Sequence, residues 1–225
     1  MINGWFYGAS GLAVIHWFAR WREIRWLHYA TKPAVLLAII VWFWQAGGWQ
    51  GSLRWFGIAL VFSLLGDVCL ILPSKFFLAG LGAFLVGHLC YIAGFSIGTL
   101  DGSAFLWGIV LLMALSAGVV MVFFSRAFNG KVYLGRIRTG VSLYIIVIHI
   151  MLLAAISTFF RPAWQFSGAL LVTVGALLFA FSDGLLAYDR FVNHIRHAHV
   201  WIMMTYHGAQ FLMAAGALTQ IAPRF

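Results

Sequence analysis

Residues 55–72 read WFGIALVFSLLGDVCLIL, and residues 76–98, beyond a short Pro-Ser-Lys turn, read FFLAGLGAFLVGHLCYIAGFSIG. The first stretch contains one formal charge, Asp67, and the second contains none. Each has close to the roughly 20 apolar residues that an α-helix needs to cross a hydrocarbon core. A backbone in lipid must satisfy its own hydrogen bonds, so such runs are helical. Working outward, the same pattern recurs near residues 3–19, 30–46, 104–124, 138–160, 164–187 and 198–221. The expected fold is therefore an all-α membrane protein, an eight-transmembrane-helix bundle forming one domain over residues 1–225. Most connections are too short for a soluble module: Pro73-Ser74-Lys75 joins segments three and four, and Arg161-Pro162-Ala163 joins six and seven. Met1 to Ser10 lacks a basic leader, so the first segment is expected to stay as a helix.

Composition leads to the same class. Hydrophobic residues make up 64% of the 225 and charged residues 8%, against roughly 25% charged in soluble domains. The mean hydropathy is +0.98. The net charge of +9 invites a nucleic-acid reading, but only 14 Lys and Arg are present, in short runs between apolar segments. That distribution excludes a nucleic-acid partner and fits cytoplasmic loops facing anionic headgroups. Eleven of the 14 fall on one side: Arg20, Arg22, Arg25, Lys32, Lys75, Arg126, Lys131, Arg136, Arg138, Arg190 and Arg196. Arg54, Arg161 and Arg224 fall on the other. The rule that positive loops stay inside then puts both termini outside, in a multi-pass protein of a bacterial inner membrane. Trp5, Trp17, Trp26, Trp49, Trp55 and Trp164 lie near predicted ends and suit an interfacial belt. Cys69 and Cys90 both fall in apolar segments without redox or zinc spacing and read as small core residues.

The chemistry concentrates in two carboxyl groups. Of five acidic residues, Glu23 and Asp101 fall in loops, and Asp189 falls just past segment seven. Asp67 and Asp183 instead sit inside apolar runs, about one turn within the membrane boundary. A carboxylate there costs several kcal/mol unless paired, solvated or protonated, so its default reading is functional. The plainer alternative is a structural pair with Lys32 or an arginine, or an aspartate facing a shallow water-filled vestibule. Two aspartates in one pocket would share a proton, giving one acid and one anion. A parallel four-plus-four repeat would put both at one depth: each is followed 21 to 24 residues later by a pair of rings, His88 and Tyr91 in one half, Tyr206 and His207 in the other. Gln210, His149 and Tyr144 add polar groups at membrane depth. Such groups either bond helix to helix or line a cavity. Lys32-Pro33 is expected to open segment two, where the lysine snorkels, binds a phosphate headgroup or faces an aspartate. His194, His197 and His199 read as a basic interfacial loop rather than a metal cluster. No nucleophile elbow, phosphate loop or zinc-protease motif is present, and no metal or cofactor is expected. The residues leave open a proton-coupled transporter and a metal-dependent lipid hydrolase using His88, His149 or His207. Nothing in the sequence fixes an oligomeric state.

Several of these runs resemble the YhhN-like lysoplasmalogenase family. They are Gly66 to Leu70, Gly80 to Tyr91, Phe181 to Ala187 with Phe191, and Thr205-Tyr206 with Ala209-Gln210, supported by Thr31-Lys32-Pro33 and Tyr144 to Met151. The likeness spans about residues 31–216. It departs at His207, where a second tyrosine is expected. The resemblance implies an integral membrane hydrolase that cleaves the sn-1 vinyl ether of a lysoplasmalogen to a fatty aldehyde and glycerophosphoethanolamine or glycerophosphocholine. It places Asp67 and Asp183 as the candidate catalytic pair. Lys32, His88, Tyr91, Tyr144, Tyr206, His207 and Gln210 become candidate substrate-binding or orienting groups.

Overall fold

The computed structural model describes residues 3–100, 104–127 and 135–220, among which there are eight α-helices and no β-strand. They are α1 (Gly4–Trp21), α2 (Arg25–Gln45), α3 (Arg54–Ile71), α4 (Phe77–Phe95), α5 (Ala104–Ala127), α6 (Gly135–Ser157), α7 (Phe166–Phe191) and α8 (Ala198–Leu218). Among the described residues, five stretches have the length and apolar composition to cross a membrane: Arg25–Gln45, Gly51–Ile71, Ser74–Phe95, Thr139–Phe160 and Phe166–Phe191. The chain is a multi-pass integral membrane protein. Asp101, Lys131 and Arg224, which enter the charge pattern, lie outside the described residues.

Two element ends differ from the sequence reading. The helix α2 starts at Arg25 and runs through Pro33 instead of opening on Lys32-Pro33. Trp26 and Tyr29 are exposed and suit an interface, while Thr31 and Lys32 turn inward and are buried. The Thr31 hydroxyl donates to the Leu27 carbonyl at 2.6 Å. Pro33 withholds one backbone donor, a loss that membrane helices tolerate when neighbours re-satisfy the freed carbonyl. The helix α7 continues to Phe191, so Asp189 lies within it rather than past its end. Asp189 accepts the Ile195 N–H at 2.8 Å and pairs with His194 at 3.0 Å, which fastens the α7–α8 loop to the last turn of α7.

The helices pack as hairpins, α1 on α2, α3 on α4 and α7 on α8. The ring closes through α2–α3, α4–α6 and α6–α7, with α8 touching α1, α2 and α3. The helix α5 leans on α6. Arg161 ties the α6–α7 connection to the end of α4 by donating from Nη1 to the carbonyls of Ser96 (3.1 Å) and Gly98 (2.6 Å), which are free at a helix C-terminus. Large apolar side chains such as Phe18, Leu37, Leu111, Leu177 and Phe181 point outward, as a lipid-facing surface requires. Trp5, Trp26, Trp49 and Trp55 are exposed as a belt predicts. Trp164 is not: it is buried against Phe56 and Phe95, because the turn before α7 folds in over the end of α4.

Lipid is as apolar as a leucine side chain, so helices in membranes associate through close backbone packing of small residues. The α7–α8 contact works this way. A Cβ on Gly175 would lie 3.0 Å from both the Ala209 carbonyl oxygen and the Met213 nitrogen, and one on Gly216 would lie 2.8 Å from the Gly168 carbonyl oxygen. Backbone atoms cannot step aside. Gly175→Val is therefore expected to force α7 off α8 and destabilise the fold by roughly 1–3 kcal/mol. Its thermal midpoint in detergent should fall by several degrees, while Gly82→Ala, which meets nothing within 4 Å, leaves it unchanged. Equal midpoints for the two variants would contradict this packing.

Candidate functional site

Among the described residues, two interior polar networks hold the aspartates, and both draw a side chain from α4, His88 in one and Tyr91 in the other. The first is built on Asp183. The apolar runs of α4, α6 and α7 bring His88, Tyr144 and Asp183 to one level. The Tyr144 hydroxyl donates to Asp183 Oδ2 at 2.5 Å. His88 Nε2 lies 2.8 Å from the same hydroxyl and 3.5 Å from Asp183 Oδ2. Because the phenol proton is committed to Asp183, His88 Nε2 supplies the hydrogen between ring and phenol. His88 Nδ1 is then the free acceptor, and it is buried with no partner. His88 is fully buried, whereas the Asp183 side chain keeps 16% of its surface.

That remaining surface opens on a cavity of about 220 Å³ between α4, α6 and α7, reaching Leu70 of α3 and Val120 of α5. Its wall is mostly apolar, including Phe77, Phe84 and Ile148, and among the described residues the polar side chains along it are Tyr144, His149, Asp183 and Arg190. His149 is itself occupied with the carbonyl of Ile145, 2.7 Å away.

The second network is built on Asp67 of α3, which is 1% exposed and forms an ion pair with Lys32 of α2 at 3.2 Å. The alternative of a paired lysine is thus realised. Tyr206 of α8 stands beside Asp67 and Gln210, with its hydroxyl 3.5 Å from the Ser63 carbonyl. The Tyr91 hydroxyl donates to Gln210 Oε1 at 2.5 Å, linking α4 to α8. Asp67 Oδ2 and Gln210 Nε2 are buried without a hydrogen-bond partner. Asp67 does not line the cavity; Phe84, whose ring meets both Tyr206 and Phe179, forms the wall on its side. The two carboxyl groups nonetheless lie within electrostatic reach of each other.

His207 turns away from both aspartates. It accepts the indole N–H of Trp17 at 3.1 Å and packs 5.3 Å, ring to ring, from His16. His16 in turn bonds Thr31 at 2.8 Å. Sequence reading missed His16 and Ser63, and it set Arg190 in the basic loop after segment seven, whereas α7 carries it. His16 was a lone polar residue in an apolar run, and Ser63 enters through its backbone. Arg190 had a usable signal, standing seven residues after Asp183 on nearly the same helix face. Cys69 and Cys90 are free thiols. Among the described residues, no three His, Cys, Asp or Glu side chains converge as metal ligands. The His194, His197 and His199 loop contributes only the Asp189 clasp and the start of α8.

Comparison with known proteins yields one family and a set of named relatives. The profile of the YhhN family matches residues 27–217. The chain is 31% identical over 205 residues to human lysoplasmalogenase TMEM86B, covering 90% of this chain and 80% of that one. It is 29% identical over 168 residues to a lysoplasmalogenase of Mycobacterium bovis, covering 72% of this chain and 60% of that one. It is 28% identical over 196 residues to an uncharacterized membrane protein YhhN of Escherichia coli, covering 87% of this chain and 89% of that one. No solved structure matches.

Proposed function

The chain belongs to the YhhN family, and from that premise we propose that it is a lysoplasmalogenase, releasing a fatty aldehyde and glycerophosphoethanolamine or glycerophosphocholine from a lysoplasmalogen. The observation that carries the reading is an intramembrane aspartate, Asp183, set in the wall of a mostly apolar cavity and held there by Tyr144 and His88. Relatives that carry the name lysoplasmalogenase support it.

A vinyl ether breaks once a proton reaches its β carbon. The ether oxygen then shares the positive charge as an oxocarbenium ion, water adds to the former α vinyl carbon, and the hemiacetal collapses to alcohol and aldehyde. The chemistry needs a positioned acid, a nearby anion and one water. Asp183 faces the cavity and serves as the acid. Tyr144 occupies Oδ2, which leaves Oδ1 to carry the proton toward the alkenyl chain. After donating it, the same carboxylate takes a proton from the attacking water. Asp67, behind Phe84, is the carboxylate end of a buried ion pair with Lys32 and holds α3 against α2 beside the site. Tyr206, Tyr91 and Gln210 hold Asp67 and the α4–α8 contact in register. His207 anchors α8 to α1.

Tyr144→Phe removes one hydrogen bond to the acid, worth about 1–1.5 kcal/mol. Its kcat for aldehyde release is expected to fall about tenfold, with KM little changed. An unaltered kcat would remove Tyr144 from the mechanism.

The bundle is read here as eight membrane crossings in one domain, with both termini outside and the basic loops on the cytoplasmic side of a bacterial inner membrane. A four-plus-four repeat is supported by the partners of the aspartates. Asp67 on α3 pairs with Lys32 on α2, and Asp183 on α7 bonds Tyr144 on α6.

Purified protein given 1-alkenyl and 1-acyl lysophospholipids, with aldehyde and fatty acid both measured, tests the activity. Aldehyde from the alkenyl lipid and no fatty acid from the acyl lipid is the expected result. Fatty acid release, or no product from either, would overturn it.

A further inference from the structure

An alkenyl tail moving from bilayer to an apolar cavity changes its surroundings little, so the polar end must supply most of the discrimination. Asp183 reacts at the ether and does not recognise the phosphate. Lys32 is engaged with Asp67 and does not line the cavity. Among the described residues, the remaining cation on the wall is Arg190.

Its placement is specific. Arg190 follows Asp183 by seven residues on α7, a rise of roughly 10 Å on nearly the same face. Helical side chains lean toward the helix N-terminus, so the Arg190 side chain reaches back toward Asp183. Its guanidinium lies 3.8 Å from the centroid of the Phe77 ring and 6.0 Å from that of Phe191, both of which also line the cavity. Among the described residues it has no carboxylate partner, since the adjacent Asp189 is taken by His194 and Ile195. Stacking on Phe77 orders the planar fork while leaving its N–H edges free, the form in which arginine grips phosphate. A glycerol backbone sets its phosphorus roughly 8 Å from the vinyl β carbon when extended, a span that fits between an acid at Asp183 and a guanidinium one or two turns above it.

We propose that Arg190 is the phosphate-recognition residue of this cavity, selecting glycerophospholipids over neutral glycerol ethers. The proposal rests on the cavity being the substrate site, and its test separates the two. The probes are a saturated 1-alkyl lysophospholipid, which cannot be hydrolysed, and the 1-alkylglycerol with the same chain, whose binding to wild type, Arg190→Gln and Arg190→Lys is measured in detergent. Wild type should bind the phospholipid about 10- to 100-fold more tightly than the alkylglycerol, the range of a charge-assisted hydrogen bond. Arg190→Gln should bind both alike with unchanged alkylglycerol affinity, and Arg190→Lys should recover part of the preference. A glutamine variant that keeps the preference, or that loses both ligands equally, overturns the assignment. A wild-type protein that binds with this preference yet releases no aldehyde from the alkenyl lipid fails the hydrolase reading alone.

Discussion

Asp183→Asn protein, inserted and folded, should release aldehyde about 10²–10⁴-fold more slowly than wild type, the usual contribution of a positioned general acid. Asparagine has nearly the same shape and can still accept the Tyr144 hydroxyl, so the α6–α7 contact survives. What it lacks is a transferable proton. The loss should appear in kcat, with the affinity for a saturated alkyl lysophospholipid preserved, because Asp183 acts on the vinyl carbons and not on the phosphate. A folded Asp183→Asn enzyme turning over at the wild-type rate would exclude Asp183 as the acid.

The second large effect is on stability. Lys32 and Asp67 are both almost fully buried and 3.2 Å apart. Lys32→Met leaves the Asp67 carboxyl without its counter-charge, and removing one member of a buried pair costs about 3–5 kcal/mol. The double variant Lys32→Met/Asp67→Asn removes the stranded charge and should recover most of that loss. Thermal unfolding of the two single variants and the double variant measures the coupling directly. A double variant as unstable as the sum of the singles would mean that the two groups do not interact.

Much of the fold was legible because a bilayer reduces the problem to counting apolar residues between breaks, and the runs around Asp67 and His88 became α3 and α4 within a few residues. The α2 start was not legible, because proline is an ordinary opening signal and only tertiary burial of Thr31 and Lys32 reveals a helix running through it. Asp189 was misplaced for a related reason: its bond to the Ile195 backbone lies beyond any local pattern. The polar residues of α4, α6, α7 and α8 were visible as rare events in apolar runs. Their partition was not. Whether a histidine or tyrosine faces Asp67, Asp183 or neither depends on helix rotation, and 21- to 24-residue spacings do not encode it. Tyr144 and His88 thus went to Asp183, Tyr206 to Asp67, and His207 to Trp17. The aromatic wall at Phe84 that keeps Asp67 out of the cavity had no signature in composition.

Hydrolysis in ¹⁸O-labelled water most directly tests whether cleavage runs through the alkenyl carbon, as protonation of the vinyl group requires. If it does, water adds to a carbon of the alkenyl chain and the glycerol C–O bond is never touched. The glycerophosphoethanolamine product should then carry no label. Label on its sn-1 oxygen would mean that water displaced the chain at the glycerol carbon, and would contradict the acid-first cleavage assigned to this cavity.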